Sequence, residues 1–165
     1  PMIKLLVFDV DGTLSDGKVY YSQSGEEIKS FDIRDGLAIN VWNRHLKRAS
    51  AIITGRESAM VRKRAQELGI AHIYMGVEDK GKVLRALLEE LHLQENEVAC
   101  IGDDLNDLSM FRQCRFAYMP KNGAKALKKY AYKVLSSLGG DGAVREMIED
   151  VLRLNKDKKL EKYFL

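Results

Sequence analysis

The sequence is poor in the residues that stiffen or cross-link a chain: two prolines, two cysteines and one tryptophan among 165 residues. Two cysteines cannot build a disulfide framework. Cys100 lies inside an apolar run and Cys114 follows a helical segment, so both are expected to be reduced thiols, as in the cytoplasm. Long apolar runs are missing as well. Nothing approaches the roughly 20 consecutive apolar residues of a membrane span, and the first apolar stretch, Ile3–Val10, is short and interrupted by Asp9. A cytoplasmic protein with no membrane partner is expected. The net charge of +3 is too mild to argue for nucleic acid.

What is present is an ordinary globular composition, 45% apolar and 31% charged, in a chain long enough to bury a core. A single domain over 1–165 is expected. Leu5–Phe8 reads as a fully buried strand that runs into Asp9, Asp11 and Gly12. Two β-rich runs around Ser22–Gly25 predict a hairpin flap over about 17–33. Asp35 is placed to cap a helix over about Leu37–Leu46, with Leu37, Val41, Trp42 and Leu46 on one face. Strand and helix then alternate: strands at 49–53, 71–74, 97–101, 116–119 and 133–135, and helices at 57–68, 79–91, 108–111, 124–130 and 143–154. A charged tail occupies 155–165. Such alternation predicts an α/β fold, a doubly wound parallel sheet with a short β-hairpin insertion.

In a parallel sheet all strand ends lie along one edge, where open α/β sheets bind ligands. Asp9, Asp11, Thr54, Lys80, Asp103, Asp104 and Asp107 all fall at such ends or at the helix starts that follow them. So many acids repel unless cations share the site, and Mg²⁺ prefers oxygen ligands from carboxylates and phosphates. A lysine and a hydroxyl beside a metal make a phosphate pocket. Each residue alone has a plainer role: Thr54 as a helix cap, Lys80 as a solvated helix residue, Asp104 and Asp107 as a helix start offsetting its dipole. All of those plainer roles would have to hold together at matching strand ends.

The order Asp-x-Asp-Gly-Thr, Thr, Lys, Gly-Asp-Asp-x-x-Asp resembles the haloacid dehalogenase superfamily of phosphohydrolases, over nearly the whole chain. The resemblance implies Asp9 as the nucleophile that forms an aspartyl-phosphate, Asp11 as general acid and then base, and Thr54 and Lys80 as stabilisers of the transferring group. It implies Mg²⁺ held by Asp9, Asp11 through its backbone carbonyl, and Asp103, with Asp104 and Asp107 in support. Many members of that superfamily cover the site with an inserted cap domain, but here a hairpin, helix and strand use up the residues between Asp9 and Thr54, and one helix and one strand those between Thr54 and Lys80, so no cap domain is expected. The segments Asp16–Tyr21, Phe31–Gly36, Ile53–Arg56, Gly69–Tyr74, Gly102–Asp104 and Gly139–Glu146 are similar to those of the 3-deoxy-D-manno-octulosonate 8-phosphate phosphatases. That similarity implies a sugar acid phosphate substrate contacted by Asp32, Ile33, Arg34, Asp35, Gly36, Thr54, Gly55, Arg56, Arg64 and Lys80. It further implies a homotetramer whose hairpins lid a neighbour's site.

Asn40 and Asp141 depart from some relatives, where basic residues stand, and leave the identity of the sugar acid open. A nine-carbon 2-keto sugar acid 9-phosphate is the alternative substrate. A receiver-type signalling domain uses the same residue types in a different order, with its acid pair on the first strand. A non-catalytic assembly module would not need every acid, Thr54 and Lys80 to be present. For Arg64, inside the run Arg62-Lys63-Arg64, a solvated helix face is nearly as good an account as a substrate contact.

Overall fold

The computed structural model describes residues 2–165. Its centre is β1 (Leu5–Phe8), buried along its whole length. Parallel neighbours flank it: β4 (Ala49–Ile53) on one side and β6 (Val98–Ile101) on the other, with Phe8 level with both Ile52 and Ile101. β5 (His72–Tyr74) extends the sheet beyond β4, and β7 (Phe116–Met119) and β8 (Lys133–Val134) extend it beyond β6. The order is therefore β5-β4-β1-β6-β7-β8, with every pairing parallel.

Side chains alternate across a strand, so one run of apolar residues supplies two cores. Leu6 and Phe8 pack with α1 (Ile33–Asn40), α2 (Ala59–Glu67) and α5 (Ala143–Leu154). Leu5 and Val7 pack on the opposite face with α3 (Lys80–Glu90) and α4 (Leu108–Phe111). The chain leaves β1 towards β4 and β5, then returns to the other side of β1 for β6. The strand ends of β1 and β6 therefore border the switch point of the winding, where α/β sheets open a crevice.

The hairpin is a separate two-stranded unit, β2 (Tyr20–Tyr21) against β3 (Glu27–Ile28). Val19, Tyr20, Tyr21 and Ile28 are exposed on it.

The structure departs from the sequence reading in two helical segments. The first helix begins at Ile33, four residues earlier than expected, because Asp32 rather than Asp35 caps it, accepting from the Arg34 and Asp35 amides. That helix continues as a wide π-type turn over Val41–His45, marked by the Leu46 N–H donating to the Val41 carbonyl at 2.9 Å. Its core residues are Ala38, Ile39, Val41 and Trp42, while Leu37 is exposed. Residues Lys125–Tyr130 form a 3₁₀ turn instead of an α-helix. The charged tail is docked: Arg48 holds Asp157 through two contacts of 2.6 and 2.9 Å, and Leu160 is buried. Among the described residues, no helix is long and apolar enough to cross a membrane.

Candidate active site

The β1 strand ends at Asp9, whose amide donates to the Ile101 carbonyl at 3.1 Å. The sheet thus holds the backbone of Asp9 against β6, whose own end delivers Gly102 and Asp103. Oxygens of Asp9, Asp103 and Asp107 come within 4.8 Å of one another. Lys80, at the first position of α3, reaches into this cluster and is 1% exposed. Its Nζ donates to Asp9 Oδ1 and to Asp107 Oδ1, each at 2.7 Å. Thr13 Oγ1 lies 3.3 Å from Asp9 Oδ2, so both oxygens of that carboxylate are held.

Glycines make this crowding possible. A Cβ on Gly12 would sit 1.9 Å from Asp103 Oδ2, and one on Gly102 would sit 2.4 Å from Asp107 Cγ. Gly12 also has a φ of +88°, in the left-handed region that side chains avoid. Behind the loop, the Gly139–Gly142 turn packs so closely that a Cβ on Gly139 would meet the Gly12 carbonyl at 1.8 Å. The Gly140 amide donates to the Thr13 carbonyl at 2.8 Å. This turn is thus the backing of the Asp9 loop.

Three carboxylates share one ammonium, which leaves the cluster two negative charges in excess. Burial therefore prevails over the Lys80 charge, and the carboxyl of Asp9 is pushed up to about 7. Burial raises Asp103 to about 6, and burial together with the charge of Asp9 raises Asp107 to about 6. Burial pulls Lys80 down, but the charges of Asp9 and Asp107 outweigh it and hold the ammonium above its ordinary range. An oxygen-only donor set that is short of two positive charges, cradled where no Cβ fits, matches a hard divalent cation.

Thr54 is buried directly after β4, on the other side of β1. Its amide donates to the Tyr74 carbonyl at 2.9 Å and its carbonyl accepts from Val77, which pin the loop leading to Gly55 and Arg56. Both of those residues are exposed. Asp11 is half-buried, and its Oδ1 accepts from Lys29 Nζ at 2.6 Å. Lys29 follows β3 and was not singled out by the sequence, where it sits in a polar hairpin strand of ordinary appearance.

The two acids foreseen in support of the metal are placed differently. Asp107 is fully buried in the cluster and accepts the Asp103 and Asp104 amides at 2.9 and 3.3 Å. Asp104 is exposed and accepts the Leu105 amide at 2.7 Å as the cap of a 3₁₀ turn over Leu105–Asp107. Its carboxylate is not one of the three that converge.

The expected substrate-binding segment is divided. Asp35 points inward, not to solvent: its Oδ1 accepts the Arg145 amide at 2.9 Å, and its buried Oδ2 has no partner. It neither caps the helix nor lies open to a ligand. Ile33 is 82% exposed, and Arg34 is held by Asp32 and Asp141. Arg56 donates to Glu27 Oε2 of the hairpin at 2.9 Å. Arg64 turns away from exposed Arg62 and Lys63 and lies against Gly36, where a Cβ would come within 2.5 Å of its Nη2. Its guanidinium is 5.9 Å from the Phe31 ring centre. Gly36 and Arg64 share a groove of about 340 Å³ with Leu37, Asn40, His45 and Phe164.

Fold and acid cluster together define a hydrolase of the haloacid dehalogenase type, and residues 69–147 match the family model for haloacid dehalogenase-like hydrolases. The chain is 41% identical over 159 residues to a 3-deoxy-D-manno-octulosonate 8-phosphate phosphatase, KdsC, of Yersinia pestis, covering 94% of this chain and 82% of that one. It belongs to the KdsC family. A solved member from Moraxella catarrhalis, in complex with a magnesium ion, a phosphate ion and a KDO molecule, superposes with a TM-score of 0.91 at 40% identity, over 98% of this chain and 91% of that one. The cobalt-bound structure from Haemophilus influenzae superposes with a TM-score of 0.87 at 35% identity, over 93% of this chain and 90% of that one.

Proposed function

We propose that this chain is a magnesium-dependent phosphatase that converts 3-deoxy-D-manno-octulosonate 8-phosphate to the free sugar acid and phosphate. The observation that carries the reading is Asp9. It is a carboxylate at the end of the central strand, fixed by Lys80 and Thr13 inside an acid cluster that is short of two positive charges. Relatives that cover this chain almost end to end bear that activity in their names.

The chemistry follows from the groups on the edge. Asp9 attacks phosphorus and the bond to the sugar oxygen breaks, giving an aspartyl-phosphate. Asp11 gives its proton to the departing alkoxide, and in the second step takes one from the water that releases phosphate. Lys80 and the Thr54 hydroxyl offer positive charge and a hydrogen bond to the phosphoryl oxygens, where electrostatics and positioning supply most of the catalysis. Asp9, Asp103 and the Asp11 carbonyl would hold Mg²⁺, with Asp107 and Asp104 behind them. When bound, the ion supplies the missing positive charge to the carboxylates and the phosphate. Arg56 and Arg64 are the candidates for the sugar carboxylate, since guanidinium forks match carboxylates.

One domain with no inserted cap leaves the edge open. The exposed hairpin side chains are suited to burial against another copy, and the assembly we infer is a cytoplasmic homotetramer in which each flap covers a neighbour's site. Light scattering at assay concentration should give four chains per particle.

The direct test is phosphate release from a panel of sugar and keto-acid phosphates, with and without Mg²⁺. The eight-carbon sugar acid phosphate should be hydrolysed best, and only with the ion. Preference for a nine-carbon acid would change the substrate, and preference for a neutral hexose phosphate would remove the sugar-acid assignment.

A further inference from the structure

The Lys29 side chain is closed off from water on a hairpin whose side chains are mostly exposed. That side chain is 3% exposed, although Ile28 before it and Tyr21 across the hairpin face solvent. An ammonium taken from water is costly unless it is paired. Here it has two partners: Asp11 Oδ1 at 2.6 Å and Glu27 Oε1 at 2.9 Å. Glu27 in turn accepts Arg56 Nη2 through its other oxygen at 2.9 Å. Four alternating charges thus run from Asp11 through Lys29 and Glu27 to Arg56.

A salt bridge that merely fastens the flap could have used any surface acid. This one uses Asp11. Among the described residues, Lys29 is the one side chain that donates to that carboxylate. Asp11 sits at a half-exposed strand end, and the next residue turns away with a positive φ. A carboxylate in that position swings freely unless something holds it, and acid–base catalysis needs hydrogen-bond distance to the leaving oxygen.

We propose that Lys29 is a positioning residue for the proton transfer: its ammonium fixes Oδ1 of Asp11, so that Oδ2 is the oxygen that exchanges the proton. The inference rests on the phosphatase reading. In the step concerned, the bond from phosphorus to the sugar oxygen breaks, the bond from phosphorus to Asp9 forms, and the proton passes from Asp11 to the sugar oxygen. Lys29 keeps its own protons throughout.

The test compares leaving groups. Nitrophenolate departs as a stable anion and needs no proton, whereas an alkoxide does. Three substrates suffice: the sugar acid phosphate, a simple alkyl phosphate without a carboxylate, and p-nitrophenyl phosphate, with kcat/KM reporting the first phosphoryl transfer. In Lys29→Met, both alkyl esters should lose about 10–100-fold, inside the range that acid catalysis supplies, while the nitrophenyl ester loses less than about threefold. Lys29→Arg should recover most of the loss.

Equal losses on all three substrates overturn the proposal, and so does a Lys29→Met enzyme that matches wild type. A loss confined to the carboxylate-bearing substrate also overturns it, because Lys29 would then act through Arg56. If Lys29→Met does not fold, Glu27→Gln loosens the same lysine from its other side. It should show the same preference at about 3–10-fold, and no preference refutes the inference. Asp11→Asn separates the two levels: full activity there sinks the phosphatase reading itself, whereas a dead Asp11→Asn beside a normal Lys29→Met sinks only the role of Lys29.

Discussion

Two lysines each bridge two acids in this molecule, and the two bridges are built differently. Lys80 stands on a core helix, is closed off from water and joins Asp9 to Asp107 among backbones that only glycine permits. Lys29 stands on a two-stranded flap and joins Asp11 to Glu27 at the rim. The first bridge is held by the sheet: moving it means moving β1, β6 and α3. A two-stranded hairpin has little stability of its own, so the second bridge holds the flap as much as the flap holds it. The difference separates two tasks. On the proposed reading, the groups that would act on phosphorus, which every phosphate ester shares, are set in the core. Asp11 and Arg56, which would answer to the leaving group, are held at the rim by Lys29 and Glu27 of an insertion that can vary without disturbing the core.

The comparison breaks most severely at Asp9. Asp9→Asn should leave the fold intact and reduce turnover on every substrate by about 10⁴–10⁶, because the amide is a far weaker nucleophile and metal ligand. A rate within tenfold of wild type, with contaminating phosphatase excluded, would end the aspartyl-phosphate mechanism. A chelator should silence the wild-type enzyme in the same substrate-independent way, and Mg²⁺ should restore it.

Lys80→Met comes next. It strands Asp9 and Asp107 without their cation in a buried site, a loss of about 3–5 kcal/mol where one partner of a buried pair is removed. Denaturant melts should register it, together with activity loss on all substrates alike. If the variant instead lost activity only on the sugar substrate, the core bridge would not be the common machinery described above.

How these groups would be arranged was only partly legible in the residues. Strand ends are marked in sequence, so Asp9, Asp103 and Thr54 could be placed on one edge, and Lys80 at a helix start beside them. What the sequence cannot express is rotation. A 3₁₀ turn over Leu105–Asp107 faces Asp107 inward and Asp104 outward, whereas an α-helical start would have served both equally as dipole partners. Arg64 could not be separated from Arg62 and Lys63 because all three fit a solvated face; only the missing Cβ of Gly36 shows where it goes. Gly36 itself read as a loop residue, which hid the first turn of α1 and gave Asp35 the cap that belongs to Asp32. Lys29 carried no signal, since alternating charge is what any exposed hairpin shows.

The rim also predicts a smaller and more selective effect. Arg56→Ala and Arg64→Ala should lower kcat/KM for the sugar acid phosphate by roughly 10–150-fold each, the equivalent of one charge-assisted contact of about 1.5–3 kcal/mol. The loss on p-nitrophenyl phosphate, which has no carboxylate, should be far smaller. Arg64 already touches Phe31 and Gly36, so part of its effect would be structural, and the ratio between substrates is the quantity to compare. Equal losses on both would move the arginines to a structural or phosphate-binding role.

Asp35 gives the smallest effect and tests the boundary between the two regions. It lies on the buried face of α1, the helix that leaves the flap, with the capping Asp32 and Arg34 beside it and the Arg145 amide of α5 facing it. Burial raises its carboxyl from the usual 3.8 to about 6. A raised acid binds its proton more tightly in the folded chain, so its ionisation opposes folding. That penalty is fully present above about pH 6, fades as the pH falls towards 4, and is gone below it. Two pKa units correspond to about 3 kcal/mol at most. Asp35→Asn keeps an oxygen for the Arg145 amide and removes the charge, while its new NH₂ takes the place of an oxygen that already lacks a partner. The gain should therefore be only about 1–2 kcal/mol at pH 7.5, after the cost of a buried unpaired donor. It should fall through zero as the pH drops and become a loss of about 1–2 kcal/mol near pH 4, where only the donor cost remains, read as the difference between variant and wild-type denaturant midpoints, so that the other raised acids cancel. A variant less stable than wild type at pH 7.5 would mean that the ionised carboxylate is an anchor for α5, making the helix pair α1–α5 part of the fixed core and not a seam beneath the flap.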